Sequence, residues 1–266
     1  MVLLVKLTFL NQLPFTGLRL SLQNKSIAVD KQELIFEDLG IVAYKEAWDY
    51  QEGLLLKNVA VKTAARISGN NEPASNIPTK QHLLFCEHPA VYTLGKSGKK
   101  EHVLMTDEEL ENNHIEFYNT NRGGDITFHG LQQIVGYPIL DLEKFETDIG
   151  KYLRNLEEVI IRMLADYDIK GARSKGETGV WIEPDIPGKE RKICAMGVRC
   201  SRWITMHGFA LNVNTDLSYF NNIIPCGIQN KQVSSIEREL GKKVDFTEAK
   251  ERLKHHFCEI FQVSIN

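Results

Sequence analysis

A chain of 266 residues, 42% of them hydrophobic and 25% charged, is long enough to bury a sizeable core and has the make-up of an ordinary globular protein. Its formal net charge of −3 supplies no basic field, so nucleic acid is not an expected partner. No window is long and apolar enough to cross a bilayer, which removes the membrane from the expected partners as well.

The cysteines are Cys86, Cys194, Cys200, Cys226 and Cys258. They are odd in number, scattered and without a CxxC pair, which argues against a disulfide framework or a structural zinc site and favours a reducing cytoplasm. The histidines contain no HExxH, so no catalytic metal is expected. The apolar start, MVLLVKLTFLNQL, is interrupted at Lys6 and lacks both a preceding basic region and a small-residue cleavage pattern. It reads as a short extension or a start-site artefact, within an N-terminal extension over residues 1–36 in which Asn24 to Lys31 is a polar connector; residues 37–266 read as one domain.

From Ile41 the apolar spacing turns helical, with Ile41, Tyr44, Trp48, Gln51, Leu55 and Val59 at steps of three and four. Gly69 to Pro78 is broken by Gly, Asn and Pro and reads as a loop. Short apolar runs at His82–Cys86 and Ala90–Leu94 read as strands, as does Ile134–Leu140. Ile149, Leu153, Leu156, Ile160, Met163 and Tyr167 then form one stripe of an amphipathic helix. Strands are predicted at Gly179–Ile182, Ile193–Arg199 and Thr205–Val213. A last helix begins near Asp245, where Asp245 and Glu248 have capping-box spacing, and runs to about Val263. Interleaved strands and helices without repeats predict one mixed α/β domain.

Four segments concentrate unusual residue types. Arg122-Gly123-Gly124-Asp125-Ile126-Thr127-Phe128-His129-Gly130 is rich in glycine, which lets a backbone approach a ligand closely; a hairpin with surface charges fits the same residues. Lys192-Ile193-Cys194-Ala195-Met196-Gly197 puts a lysine at the head of an apolar strand, where a solvated strand end is the common case. In Thr205-Met206-His207-Gly208-Phe209-Ala210-Leu211-Asn212 the histidine reads either as an acid/base group or as a hydrogen-bonded core residue. Ile224-Pro225-Cys226-Gly227-Ile228 sets a cysteine on a rigid turn that presents its sulfur, so Cys226 is the candidate nucleophile. Cys86, Cys194 and Cys258 read as small core hydrophobes. Gly95-Lys96-Ser97 looks like the end of a P-loop, but Ala90 stands where that motif needs glycine.

In this order the four segments resemble the lipoyl(octanoyl) transferases, whose pattern runs RGG-x-x-T-x-HG, K-I-x-x-x-G, T-x-HG-x-ALN and PCG. Shorter echoes lie at Tyr44–Gln51, Glu87–Gly95, Gly136–Leu142 and Gly179–Trp181, so the likeness covers roughly residues 39–240. Leu131-Gln132 departs from it, standing where the family often has Pro-Gly. The resemblance implies a biotin/lipoate protein ligase-like fold, a mixed sheet flanked by helices in one domain. It implies transfer of an octanoyl group from octanoyl-acyl carrier protein to a lysine of lipoyl domains, those of 2-oxoacid dehydrogenase E2 subunits and the glycine cleavage H protein. It implies a thioester on Cys226, Lys192 as its pKa-lowering partner, and no cofactor. Substrate-binding segments map to Arg122, Gly123, Gly124, Asp125, Ile126, Thr127, Phe128 and His129, to Ala195, Met196 and Gly197, and to Gly208, Phe209 and Ala210. A monomer is expected, with cavity walls from Val198, Phe209 and Tyr92. Because acyl carrier proteins are acidic, a basic rim is expected from Lys96, Lys99, Lys100, Arg122, Arg173, Arg199 and Arg202. The alternatives weighed are an ATP-dependent lipoate or biotin ligase, which has no use for the PCG cysteine, and a non-catalytic carrier-protein binding module.

Such chemistry suits these residue types. A thioester is already activated, so a thiolate takes it over without nucleotide energy. A free cysteine is mostly protonated at neutral pH, and a nearby ammonium stabilises the thiolate.

Overall fold

The computed structural model describes residues 31–68, 73, 76–224 and 232–265. Every described residue belongs to one compact unit, Lys31–Asn266. β1 (Gln32–Ile41) leads into α1 (Tyr44–Ile67), β2 (Gln81–Glu87) and β3 (Val91–Leu94). Then follow α2 (Asp107–Asn112), β4 (Glu116–Asn119), β5 (Ile126–His129), β6 (Gln133–Ile139) and α3 (Ile149–Ala165). β7 (Gly171–Arg173), β8 (Val180–Ile182), β9 (Arg191–Ser201), β10 (Ile204–Asn212) and β11 (Gln232–Val233) come next. α4 (Ile236–Leu240), α5 (Phe246–Phe261) and β12 (Val263–Ile265) close the described chain.

Among the described residues, nine strands form one sheet in the order β12-β1-β2-β6-β10-β9-β8-β7, with β11 beside β9. β1 runs parallel to β12 and β2, whereas β2, β6, β10, β9, β8 and β7 alternate antiparallel, so the sheet is mixed as expected. A smaller sheet has the order β4-β3-β5. Gln32 to Phe36, read from sequence as the end of the extension, lie in β1 and pair with β2 or β12.

Strand alternation gives the large sheet two buried faces. Leu83, Phe85, Ile134, Phe209 and Leu211 face α3 and α5, where Leu156, Ile160, Met163, Leu253 and Phe257 close an apolar core. Leu84, Cys86, Val135, Tyr137 and Ala210 face the other way, with Ala47, Leu54 and Leu55 of α1. Each leucine, isoleucine, valine or phenylalanine among them, taken wholly out of water, contributes about 1.5–3 kcal/mol. α1 also buries Gln51, Asn58 and Lys62, and each is tied down. Gln51 accepts the His207 N–H at 2.9 Å, Asn58 donates to the Lys80 carbonyl at 2.8 Å, and Lys62 Nζ meets Asp141 at 2.7 Å and Glu143 at 2.9 Å.

The long periodic elements sit where the spacing predicts them. The expected start of the first helix shifts, because Ile41 ends β1 and the helix begins at Tyr44. Not predicted from the sequence are β1, β4, β5, β7, β11, β12, α4 and α2. The last starts at a full capping box: Glu109 N–H donates to Thr106 Oγ1 at 3.2 Å and the Thr106 N–H to Glu109 Oε2 at 2.7 Å.

Candidate active site

The glycine-rich segment is a loop followed by a strand. Gly124 takes a φ of +83°, which a side chain would resist. The loop is strapped to its neighbours: Lys96 N–H donates to the Arg122 carbonyl at 3.0 Å, Ser97 N–H to Gly124 at 3.0 Å, and Gly123 N–H to Val198 at 2.9 Å. A Cβ on Gly95 would lie 2.3 Å from the Gly124 carbonyl oxygen, and one on Gly197 2.6 Å from that of Gly123. Glycines here admit backbone to backbone.

Arg122 is buried, and its guanidinium donates to the Thr93 carbonyl at 2.5 Å, to Thr93 Oγ1 at 2.9 Å and to Gly123 at 3.0 Å. Asp125 accepts the Ile126 N–H at 2.7 Å and pairs with His102 Nδ1 at 2.7 Å. Both charged side chains of the motif are therefore engaged in holding the loop. Along β5 alternation separates the rest: Phe128 turns into the small sheet's core and stacks on Tyr219 at 4.5 Å, while His129 lines the cavity. Tyr92, expected as a cavity wall, lies in that same small core.

The cavity has a volume of about 600 Å³, within the range of small-ligand sites. Arg122 to Thr127, His129, Lys192, Ala195 to Gly197 and Gly208 to Ala210 all line it, together with Val198. Of the expected substrate-binding residues, Phe128 alone does not. Cys226 lies outside the described residues. The described chain resumes at Gln232, and Gln232 and Val233 line the cavity, with Val233 opposite Lys192 in the β11–β9 pairing. Lys192 stands with its Nζ 4.6 Å from the centre of the Trp181 ring, a distance at which the ring face attracts a cation.

The lining also includes residues that sequence reading did not assign to a site: Tyr44, Gln133, Tyr137, Trp181 and Asn212. Tyr44, Tyr137 and Trp181 fall in the shorter echoes. Gln133 and Asn212 had a plainer signal, a polar side chain ending an apolar strand. They are joined by a hydrogen bond of 2.8 Å, and Gln133 Oε1 meets His129 Nδ1 at 2.9 Å.

The histidines here are neutral. Burial, helped by the charge of Arg122, pushes His207 down to about 3; burial and the neighbouring His88 hold His129 well below its usual range. Behind them burial lowers His88 to about 4, and its Nε2 meets the Tyr137 hydroxyl at 2.8 Å. Burial raises Tyr44 to about 12. His207 has a φ of +56° inside β10, a left-handed conformation costing roughly 1–2 kcal/mol. Two hydrogen bonds hold it: its N–H to Gln51 at 2.9 Å and its Nε2 to Asn121 at 2.7 Å. Of its two readings from sequence, the geometry matches a hydrogen-bonded buried residue that also faces the cavity. Apolar walls, neutral hydrogen-bonding groups and an ammonium suit an uncharged chain ending in a polarised carbonyl.

Among the described residues no group of three or more His, Cys, Asp or Glu is placed to hold a metal ion, and no helix is long and apolar enough to cross a membrane.

Residues 43–258 match the model of the lipoyl protein ligase A/B catalytic domain. An octanoyltransferase of Christiangramia forsetii is 55% identical over 88% of this chain and 98% of its own length. Octanoyltransferases of Cytophaga hutchinsonii and Flavobacterium johnsoniae are 52% and 54% identical, over 91% and 88% of this chain and 95% and 99% of theirs. In fold the chain is similar to a lipoate protein ligase of T. acidophilum with bound lipoic acid (TM-score 0.60, 14% identity, 89% of this chain and 88% of that one). It is similar also to lipoate-protein ligase A bound with ATP (TM-score 0.58, 14% identity, 89% and 87%). With its mixed sheet, its cavity and these relatives, the chain belongs to the lipoyl protein ligase A/B catalytic family as one of the octanoyltransferases, and it is an acyltransferase.

Proposed function

We propose that the protein carries an octanoyl group from octanoyl-acyl carrier protein to a lysine of a lipoyl domain in lipoate biosynthesis, through a thioester on Cys226. The observation that supports this most is the convergence of three separated motifs on one cavity, with Lys192 at its wall. The octanoyltransferase relatives supply the acyl group.

The thiolate of Cys226 attacks the donor thioester carbonyl, the carrier's thiol leaves, and the acyl group rests on sulfur. The acceptor lysine must attack as a neutral amine, which requires a base. Lys192 serves first as the cation that favours the thiolate and then, deprotonated, as that base. Backbone N–H groups of the glycine-rich segments stabilise the developing oxyanion.

Of the basic rim expected from sequence, Arg173, Arg199 and Arg202 bind Glu157, Glu52 and Thr63 respectively, and Arg122 is buried. Exposed Lys96 and Lys99, beside Lys100, are left as the basic group flanking the glycine-rich loop. We assign the acidic donor to that side.

Intact mass after incubation with octanoyl carrier protein tests the mechanism. An octanoyl adduct that hydroxylamine removes and that Cys226→Ala lacks is expected, without ATP; no adduct on the wild-type chain overturns the thioester route. Lys192→Arg keeps the charge and should lose transfer to the acceptor. Undiminished turnover in that variant rules out an acid/base role.

A further inference from the structure

If β9 simply alternated, Lys192 would share the face of Cys194 rather than that of Trp181. Cys194 belongs to the apolar core beneath α3 and α5, and a residue two positions away in an unbroken strand shares its face. The pairing of β8 with β9 shows why it does not. Val180 lies opposite Cys194, but Trp181 lies opposite Lys192 rather than Ile193, so the register slips by one residue between them. Ile193 and Cys194 are consecutive, yet both are wholly buried in the same core. A one-residue slip turns every later side chain to the other face. It takes Lys192 out of the core and sets it over Trp181.

The residue before the slip is Gly179, with a φ of +112° and room for no Cβ: one would stand 2.5 Å from the Cys194 carbonyl oxygen. Its N–H goes to a side chain, donating to Glu157 Oε1 of α3 at 3.0 Å. Glu157 is buried, and its other oxygen receives Arg154 at 2.7 Å and Arg173 at 3.1 Å. Burial pushes its carboxyl up against the pull of those donors. A buried carboxylate is costly to keep, and at this place on α3 a leucine would extend the apolar core.

We infer that Glu157 is a positioning residue for Lys192: by taking the Gly179 N–H it holds the register slip that turns the lysine from the core to the cavity over Trp181. The inference rests on Lys192 having a role in transfer, but Lys192's chemical reactivity measures its placement without that role.

The test compares Glu157→Gln, which keeps an acceptor oxygen without the charge, with Glu157→Leu and Glu157→Met, which remove the acceptor. Glu157→Met keeps the side-chain length in case leucine unfolds the site. Two quantities are read: octanoyl transfer, split into kcat and KM, and acetylation of Lys192 by acetic anhydride, followed by peptide mass spectrometry. The apolar variants should lose about tenfold or more in kcat with little change in KM, as expected of a misplaced group. They should also acetylate Lys192 at least about threefold more slowly, since the ammonium turns toward the core. Glu157→Gln should restore both. Unchanged or faster acetylation in folded apolar variants overturns the inference, as does a Gln variant that behaves like the Leu variant. Should Lys192→Met leave transfer intact, the role proposed for Lys192 fails while the acetylation arm still reports on Glu157.

Discussion

The two faces of the large sheet solve the same packing problem differently. Under α3 and α5 the core is closed by aliphatic and aromatic side chains such as Leu156, Ile160, Leu253 and Phe257. Under α1, helix and sheet are also joined by polar groups with fixed geometry, Gln51 to His207, Asn58 to Lys80 and Lys62 to Asp141. Apolar contact is non-directional and tolerates small shifts; a buried hydrogen bond does not. The cavity's neutral histidines and tyrosines lie on the α1 side, where position matters more than volume.

The sharpest way to break that contrast is Lys62→Met. Lys62 and Asp141 are both fully buried, and removing one partner strands the other charge, a loss of about 3–5 kcal/mol. Urea unfolding should show it, and a loss below about 1 kcal/mol would mean that α1 is held by its apolar side alone.

The next effect depends on pH. The folded-state values of His88 and His207 lie below the unfolded value near 6.5. The unfolded chain therefore binds protons first on acidification. Stability is full above about pH 6.5 and falls as pH drops toward about 4, by roughly 1 kcal/mol per pH unit per histidine. His88→Gln should flatten the acid limb of a stability–pH curve. A variant in the α3–α5 core should leave that slope alone, and equal slopes in all three proteins would remove the distinction between the faces.

The smallest effect belongs to the apolar face. Ile160→Val should cost about 0.5–1.5 kcal/mol in thermal or urea unfolding, with kcat and KM for transfer unchanged. A change in KM would show that the cavity depends on this core's volume too.

The same contrast governs what could be read from sequence. The stripe of α3 is legible because an apolar face leaves a period, and each member needs no particular partner. Lys62 and Gln51 are not legible as buried residues, since what makes burial tolerable lies 79 positions away at Asp141 and 156 away at His207. Within the site, the glycine-rich segment, Lys192 and the Gly208–Ala210 segment were legible by motif. That reading assigned Phe128 along with its neighbours, although strand alternation sends it the other way. Arg122 and Asp125 were assigned as ligand contacts, and both side chains bond within the protein, to Thr93 and to His102 among others. β5 was hidden by the glycines before it, and Glu157 by lying on a helix whose period already explained it.

The slip in β9 bears on how relatives are compared. A strand with a one-residue offset has two phases of alternation in one unbroken stretch of sequence, one up to Ile193 and another from Cys194. Aligning such strands by hydrophobic pattern alone favours a gap at that point, and the gap moves the lysine to the wrong column. Counting Lys192 in phase with Cys194 makes it a misplaced charge in a core; counting from the Trp181 pairing sets it on the face of that ring. Distant members of the fold are better aligned here by pairing partners than by periodicity.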